Sequence, residues 1–362
     1  MLRSTASVVV AICSVLATSP FANLAEGEER GAIEGVTSQI QVARSLRGEV
    51  LVSASETHPL PLFIETVGNF LLVGGSGDTT FFVHDIATGR VLSVFGREGS
   101  GPGEFRNVGS LSLRREPGFS RSTIWAFDRA LGRMTEIDLR VPRAPRLGQI
   151  VSGELAGQYS TFWLSPTSIV GVGAFTDKRL TLYDSTGKRV RSLGSLPLLD
   201  EGVPATVAHQ ALQPSTAVSA TGHRLAVGAR YSGQVDMYSM PEGMLSSARA
   251  PVPFRPRIDV GSNGAMLVFR TDRDTRFGYI SMTSSADRVF ALFSGRSRAQ
   301  FPGRANYARE LHVFDWNGRL IEVMRLDRDV FAIASNQEGN ILYAISHDPD
   351  SEIVKFSTGA RR

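Results

Sequence analysis

The sequence predicts an all-β protein, a six-bladed β-propeller with four antiparallel strands per blade, and two observations lead to that fold. After residue 30 the apolar residues form short runs such as FLLVGG, TTFFVHD, STIWAFD and NILYAIS, each bounded by Gly, Asp, Asn or Ser. Short runs rich in β-branched and aromatic residues are typical of strands joined by tight turns. The second observation is that the turn after one strand of each blade repeats six times along the chain.

The repeat is a strand that ends in a ring residue, followed by Asp or Ser and a turn that contains Gly. The ring residues are His84, Phe127, Tyr183, Tyr238, Phe314 and Phe356, and the turn glycines are Gly89, Gly132, Gly187, Gly243, Gly318 and Gly359. An Asp or Ser at the strand end can accept a backbone N–H two residues on, and Gly tolerates positive φ in the turn. We therefore expect each turn to close the two outer strands of one blade, a unit of about 40–50 residues with insertions.

Six turns predict six blades within a single domain at 36–357, followed by a C-terminal tail at 358–362. The blades are expected at 60–96, 107–140, 159–194, 210–250, 276–327 and 329–357, with an insertion at 294–310 in blade five. The sixth blade lacks a strand, which the segment GVTSQIQVARSLRGEVLVSAS can supply. Closing the ring with an N-terminal strand leaves no sheet edge open.

The segment GREGSGPGEF, residues 96–105, is either a phosphate-binding loop or a crossover between blades one and two. A phosphate loop needs a following helix or a terminal Gly-Lys-Ser/Thr, and the sequence has neither. We therefore interpret the segment as a crossover whose glycines allow bends and whose Phe105 anchors in the seam between the two blades.

The N-terminus has the pattern of a signal peptide, which we place at residues 1–25, before a flexible mature N-terminus at 26–35. Arg3 precedes an apolar run of about 12 residues, too short for a membrane span. Cleavage after Ala17 or nearer Ala25 is compatible with the sequence, and an uncleaved anchor is the alternative. The pattern predicts export to the periplasm or the extracellular space, with no membrane span after the signal is removed.

The formal net charge is +4, and the basic residues are scattered rather than clustered. A nucleic-acid-binding surface needs a basic stripe, so we expect no nucleic-acid partner. Cys13, the one cysteine, lies within the signal sequence, so the mature chain has no disulfide.

Two segments resemble known families. GRVLSVFGREGSGPGEFRNVGSLSL followed by STIWAFD resembles NHL-type propeller repeats, and GYISMTSSADRVFALFSGR with ELHVFDWNGRLIEVMRL and the strands after it resembles the TolB-like six-bladed propellers of bacterial exported proteins. The resemblance covers roughly residues 40–357. It implies a six-bladed fold and a binding or scaffolding role, and it supplies no catalytic residues. The fourth turn, MYSMPEG, departs from the pattern because it lacks the Asp.

The sequence contains no recognisable catalytic or metal motif. The six histidines form no metal-ligand spacing, TDRDTR lacks the Gly and distal Glu of a calcium loop, and Gly-x-Ser-x-Gly does not occur. We therefore predict no catalytic residues, no metal site and no cofactor, although paired carboxylates or distant histidines could still meet in the folded chain.

Ligands of propellers usually bind where the inner strands open onto one face. The residues just before the predicted inner strands are His58, Arg106, Asn107, Gln158, Tyr159, Gln213, Arg276 and Asp329. This basic, amide and aromatic set would suit an anionic or polar ligand, or a peptide.

Three functions are compatible with the sequence. The first is an exported, monomeric, non-enzymatic module that binds a protein or peptide of the cell envelope, or a small ligand, at its central face. The second is a metal-dependent hydrolase or lyase, similar to propeller lactonases, with its site in the central channel. The third is a structural component of an envelope complex.

The signal-peptide pattern generates the first testable prediction. Mass spectrometry of the protein isolated from its native cells should find a mature N-terminus between about residues 18 and 31, because signal peptides are removed on export. Cytoplasmic protein that retains Met1 would contradict the prediction.

Overall fold

The computed structural model describes residues 44–53, 60–75, 81–113, 122–173 and 177–359. The chain divides into two compact units, 1–39 and 40–362, and every described residue belongs to the second. In this unit, antiparallel sheets stand side by side around a central cavity. The predicted six-bladed β-propeller with four strands per blade is therefore confirmed.

Two short strands precede the first blade, β1 (Arg44–Leu46) and β2 (Gly48–Val52). Blade one consists of β3 (Pro61–Val67), β4 (Phe70–Gly75), β5 (Phe81–Asp85) and β6 (Val91–Phe95). The crossover that follows contains the parallel pair β7 (Arg97–Glu98) and β8 (Glu104–Phe105). Blade two consists of β9 (Val108–Leu113), β10 (Thr123–Asp128), β11 (Arg133–Asp138) and β12 (Arg146–Val151). Blade three consists of β13 (Gln158–Ser165), β14 (Ser168–Gly173), β15 (Lys178–Asp184) and β16 (Arg189–Ser195).

A 3₁₀ turn (Leu199–Glu201) and the helix α1 (Ala205–Ala211) lie in the crossover to blade four. Blade four consists of β17 (Pro214–Val218), β18 (Arg224–Ala229), β19 (Gln234–Ser239) and β20 (Gly243–Arg249). The next crossover carries a hairpin of β21 (Asp259–Asn263) and β22 (Met266–Arg270). Blade five contains β23 (Tyr279–Ser284), β24 (Arg288–Phe293), β25 (Ala308–Asp315) and β26 (Leu320–Val330). Blade six contains β27 (Ala332–Ser335), β28 (Ile341–His347) and β29 (Ser351–Ser357), and each of these two blades gains one N-terminal strand. The sequence does not predict α1, because seven residues are too few to show a helical period.

The N-terminal strand closes the ring, as predicted. β2 pairs antiparallel with β29, with Gly48 opposite Phe356, and forms the fourth strand of blade six. β1 was not predicted as a separate strand; it pairs parallel with β26 and adds a fifth strand to blade five. Arg44 connects β1 to blade five and to the residue after β29. Its guanidinium forms an ion pair with Glu322 at 3.2 Å and donates to the carbonyl of Thr358 at 2.9 Å. Thr358, which was placed in the tail, is buried.

The repeated turn has the expected chemistry in most blades. All six ring residues are buried, so these positions anchor the blades in the core. Asp85, Asp184 and Asp315 each accept a hydrogen bond from the backbone N–H two residues on, at 3.1, 2.9 and 2.9 Å. In the turn that lacks Asp, β19 and β20 still pair, with Ser239 opposite Gly243.

Blade two departs from the predicted hairpin rule. Its turn from Asp128 to Gly132 joins β10 to β11, which are the second and third strands, and the blade extends to Val151 instead of ending at 140. The chemistry of this turn is local, so it can close either pair of strands. Asp128 also accepts the backbone N–H of Asn107 at 3.2 Å and thereby fixes the start of the blade.

Blade six departs as well, because its fourth strand comes from the N-terminus. Gly359 therefore closes no hairpin, and its φ lies outside the left-handed region. The other five turn glycines do have positive φ: Gly89, Gly132, Gly187, Gly243 and Gly318.

The inner strands of neighbouring blades all start on the same face of the propeller, which we call the upper face. The Ser215 hydroxyl donates to the carbonyl of Tyr279 near the start of β17 and β23, and Ser284 donates to Val218 at their ends. Because strand direction alternates within a blade, the turns between second and third strands and the crossovers between blades also lie on the upper face.

Side-chain hydroxyls on the inner strands join one blade to the next. Ser110 and Ser112 accept the backbone N–H groups of Thr161 and Trp163 at 3.1 and 3.0 Å. Ser281 and Thr283 accept those of Ile333 and Ser335 in the same way, each at 3.1 Å. Inner strands are sheet edges with unpaired backbone groups, so these bonds satisfy the edges and set the spacing of the blades.

The segment GREGSGPGEF is the crossover between blades one and two. Phe105 is fully buried between the blades, with its ring centroid 4.9 Å from that of Phe81. The N–H of Gly101 donates to the Glu104 carboxylate at 2.7 Å, and that bond together with the Arg97 guanidinium lowers the pKa of Glu104. Arg133 donates to the carbonyls of the same loop at 2.7 to 2.8 Å. The loop is thus held by its own side chains, as an element of the architecture.

Among the residues that the structure describes, no helix has the length and apolar character needed to cross a membrane.

Removal of the closing strands tests the ring closure. A chain that starts at Ser53 lacks β1 and β2, and it should melt about 10 °C or more below a chain that starts at Arg44. The reason is that β29 loses its outer partner and the core loses the buried side chains of Leu46 and Val52. Equal melting temperatures of the two chains by calorimetry would show that closure contributes nothing.

A pair of glycine substitutions tests the crossover. Gly103 has φ of +78°, whereas φ of Gly101 lies outside the left-handed region. Gly103→Ala should therefore lower the free energy of unfolding by about 1–2 kcal/mol, the cost of a left-handed residue with a Cβ. Gly101→Ala is the matched control and should cost less, as measured by urea denaturation. A loss for Gly101→Ala that equals or exceeds that for Gly103→Ala would overturn this account.

Candidate functional site

The centre of the propeller is an open cavity of about 540 Å³, lined by the inner strands of all six blades. We call it the central cavity. Its walls combine small and hydroxyl side chains of the inner strands with apolar ones such as Phe63, Phe162 and Met282, and its rim on the upper face carries larger polar and charged side chains. A volume in this range is typical of a site for a small ligand or a short peptide segment.

The structure places four of the predicted mouth residues on this cavity: Arg106, Asn107, Tyr159 and Gln213. They precede or begin the inner strands of blades two, three and four, which is the position from which they were predicted. His58 lies outside the described residues.

Gln158 and Arg276 do not line the central cavity. Gln158 is buried, and its side-chain amide donates to the Tyr183 hydroxyl at 2.7 Å inside blade three. Successive residues of a strand point to opposite faces, so Gln158 points into the blade where Tyr159 points to the cavity. Arg276 donates to the carbonyl of Gly295 at 3.0 Å and stacks over Phe254 with 4.5 Å between Cζ and the ring centroid.

Asp329 is also absent from the cavity wall, because it is the centre of an ion-pair cluster. Arg296 approaches both of its carboxylate oxygens, at 3.0 and 2.8 Å, and Arg309 donates to one of them at 2.8 Å. Burial opposes the ionised form, but the hydrogen bonds from these arginines outweigh it and hold the pKa of Asp329 below its ordinary value. The cluster fastens the blade-five insertion to the end of β26, the fourth strand of the same blade.

Two arginines that the sequence reasoning missed complete the rim, namely Arg129 and Arg230. Each is the first residue after the second strand of its blade, and that turn lies on the upper face. The signal in the sequence is an Arg directly after a strand, in FDRA and GARY. Arg129 was overlooked because its turn was assigned to the outer strands, on the opposite face.

The rim arginines are close enough to affect one another. Burial lowers the pKa of Arg129, Arg230 lowers it further, and Tyr159 and Asp128 act in the opposite direction. Burial likewise raises the pKa of the Tyr159 hydroxyl, although the charge of Arg129 opposes that shift. At neutral pH Tyr159 is therefore a neutral hydroxyl that can donate a hydrogen bond.

The rim has cations without internal counter-charges. Within the described part of the chain, no carboxylate lies within 4.0 Å of the guanidinium groups of Arg106, Arg129 or Arg230. Arg129 donates to the side-chain oxygen of Asn107 at 3.1 Å, and its buried Nε has no partner there. Of the described lining residues, Glu65 is the one carboxylate. Because β3 starts on the upper face, Glu65 lies about 13 Å along the strand from its rim end.

Across the described ranges, no three His, Cys, Asp or Glu side chains are grouped so that they could hold a metal ion. The rim of the cavity offers guanidinium, amide and phenol groups as hydrogen-bond donors.

The chain is similar to one known family of propellers and, more weakly, to a solved propeller structure. No curated protein gives a significant match to the chain. Among solved structures, the chain is similar to the β-propeller domain of Cps50 (Swd1) from Myceliophteria thermophila, with 15% sequence identity, a TM-score of 0.48, and coverage of 86% of this chain and 100% of that chain. A family model described as TolB-like 6-blade propeller-like matches residues 50–338. That match spans most of the chain, so this protein belongs to the TolB-like six-bladed propeller family.

Proposed function

We propose that the protein is an exported, non-enzymatic binding module that holds an anionic group of a protein, a peptide or a small ligand at the rim of its central cavity. The observation that carries the proposal is the set of arginines at 106, 129 and 230, which face the cavity without a carboxylate partner in the described chain. A ligand that brings a carboxylate or phosphate would supply the missing counter-charge.

The surroundings of the arginines support binding rather than chemistry. Asn107, Gln213 and Tyr159 add amide and phenol groups to the rim, which can orient a polar ligand. Several hydroxyls deeper in the cavity join one blade to the next, among them those of Ser110 and Ser215. At these two serines the hydroxyl is engaged with the backbone of the next blade.

The propeller also favours binding through its rigidity. The rim residues stand on turns that are fixed at both ends by strands, and the backbone of Arg129 is further held by a hydrogen bond to the carbonyl of Asn107 at 2.8 Å. A preformed site loses little conformational entropy when a ligand binds.

Export, location in the periplasm or outside the cell, and a partner in the cell envelope belong to the proposal as well. They are supported by the signal-peptide pattern and by the absence of a basic stripe for nucleic acid in the sequence. We propose a monomer for the same module. A metal-dependent hydrolase is less well supported, because Glu65 is the one carboxylate among the described lining residues.

The binding of an acidic peptide tests the proposed function. An N-acetylated, C-amidated tetra-aspartate peptide should bind the protein more tightly than the matched tetra-asparagine peptide, as measured by calorimetry. The double variant Arg106→Gln/Arg129→Gln should weaken the acidic peptide about tenfold or more, because each charge-assisted hydrogen bond contributes about 1.5–3 kcal/mol. It should leave binding of the asparagine peptide unchanged.

The control variant is Arg143→Gln/Arg146→Gln, which removes the same charge from exposed positions in and before β12. It should change the affinity by no more than about twofold, since distant exposed charges are screened by salt. Equal losses in both double variants would mean attraction to overall charge and would refute a site at the rim. Equal affinities of wild type for the two peptides would refute it as well. Melting temperatures of both variants show whether the fold is retained.

A further inference from the structure

A second cavity of about 410 Å³ lies on the upper face, outside the central cavity. We call it the loop recess. Three pieces of chain form its walls: the turn after β18, the loop that leads into β23, and the insertion between β24 and β25. Its principal lining residues are Arg230, Tyr231, Arg273, Phe277, Arg298 and Asn306.

The recess combines an aromatic wall with guanidinium groups. Phe277 is buried and lies 5.3 Å from Tyr231 between ring centroids. The Cζ atoms of Arg230 and Arg298 stand 5.7 and 5.6 Å from the centroid of Phe277, so two cations approach one ring. Arg298 also donates to the hydroxyl of Thr271 at 3.1 Å, which fixes its direction, and Arg273 is exposed at the rim.

These cations have no counter-charge of their own. In the portion of the chain that the structure describes, no carboxylate lies within 4.0 Å of the guanidinium groups of Arg230, Arg273 or Arg298. Two acidic residues, Asp272 and Asp274, flank Arg273 in the sequence. Asp274 is exposed, and Asp272 is used elsewhere. One of its oxygens accepts the N–H groups of Asp274 and Thr275 at 3.0 and 2.6 Å, and the other faces Arg257 at 3.6 Å.

The walls of the recess are held in place without a ligand. The backbone of Phe277 forms two hydrogen bonds with the start of the insertion. Its N–H donates to the carbonyl of Arg296 at 2.9 Å, and its carbonyl accepts the N–H of Gly295 at 2.8 Å. Arg296 is in turn fixed by Asp329. A site that is already formed binds a small ligand at a low cost in ordering.

We propose that the loop recess is a second binding site, separate from the rim of the central cavity, for a small aromatic anion. The ring of such a ligand packs beside Phe277 and Tyr231, and its carboxylate or phosphate pairs with Arg273 and Arg298. The volume limits the site to small molecules, and two aromatic rings beside guanidinium groups favour a ligand that carries both a ring and an anionic group. Arg230 lies between the two cavities and contributes to both.

The experiment uses phenyl phosphate as the probe, with inorganic phosphate and phenol as its two halves, and measures binding by calorimetry. Wild-type protein should bind phenyl phosphate about tenfold or more tightly than either half. The double variant Arg273→Gln/Arg298→Gln should weaken phenyl phosphate about tenfold or more. The charge-matched control Arg143→Gln/Arg146→Gln should stay within about twofold of wild type.

The rim variant Arg106→Gln/Arg129→Gln separates this proposal from the proposed function. It should leave the affinity for phenyl phosphate within about twofold, since neither arginine lines the recess. If the rim variant loses phenyl phosphate and the recess variant keeps it, the ligand binds at the central cavity and the second site is refuted. Equal losses in the recess variant and the charge-matched control, or no binding by wild type, refute it too. Loss of tetra-aspartate binding in the rim variant would leave the proposed function standing in either case.

Discussion

The blades of this propeller are held at their inner edges by hydroxyl side chains that hydrogen-bond to the backbone of the next blade. Each inner strand is the edge of its sheet. The backbone N–H and C=O groups on that edge have no partner strand within the blade. Ser110, Ser112, Ser281 and Thr283 bond to such groups at about the length of a backbone hydrogen bond. Small side chains are required there, because a larger residue would hold the strands apart. The same bonds therefore fix the blade spacing, the width of the cavity and the position of its rim.

This constraint separates the part of the molecule that must stay constant from the part that can carry function. The inner strands and the buried ring residues have little freedom, because each contacts a neighbouring blade. The upper face bears the crossovers and the turns between second and third strands, which are attached at both ends to fixed strands. Charged residues such as Arg129 and Arg230 stand in these turns, so their identity can change without disturbing the stacking of the blades.

Local chemistry explains how much could be predicted from the sequence. Strands, blade number and the closing N-terminal strand follow from short apolar runs and a repeated turn. The register of blade two does not, because the turn at Asp128 has the same chemistry whichever strands it joins. The candidate site divides in the same way. Arg106, before β9, and Tyr159, at the start of β13, line the cavity. Gln158 does not, because successive side chains of a strand point to opposite faces. Contacts between distant segments, such as Asp329 with Arg296, leave no local pattern to read.

Some arginines of this protein are paired with a carboxylate, and others have no carboxylate within 4.0 Å in the described chain. Asp329 is almost inaccessible, and it is surrounded by arginines because a buried charge is unfavourable without a partner. Arg230 and Arg129 are only half-buried, so solvent can stabilise them when no ligand is present. They can thus bind an anion from outside the protein, whereas Arg296 is already bound to Asp329. Their lack of carboxylate neighbours in the described chain costs the fold little, and it leaves the hydrogen-bonding capacity of both cavities for an anion from outside.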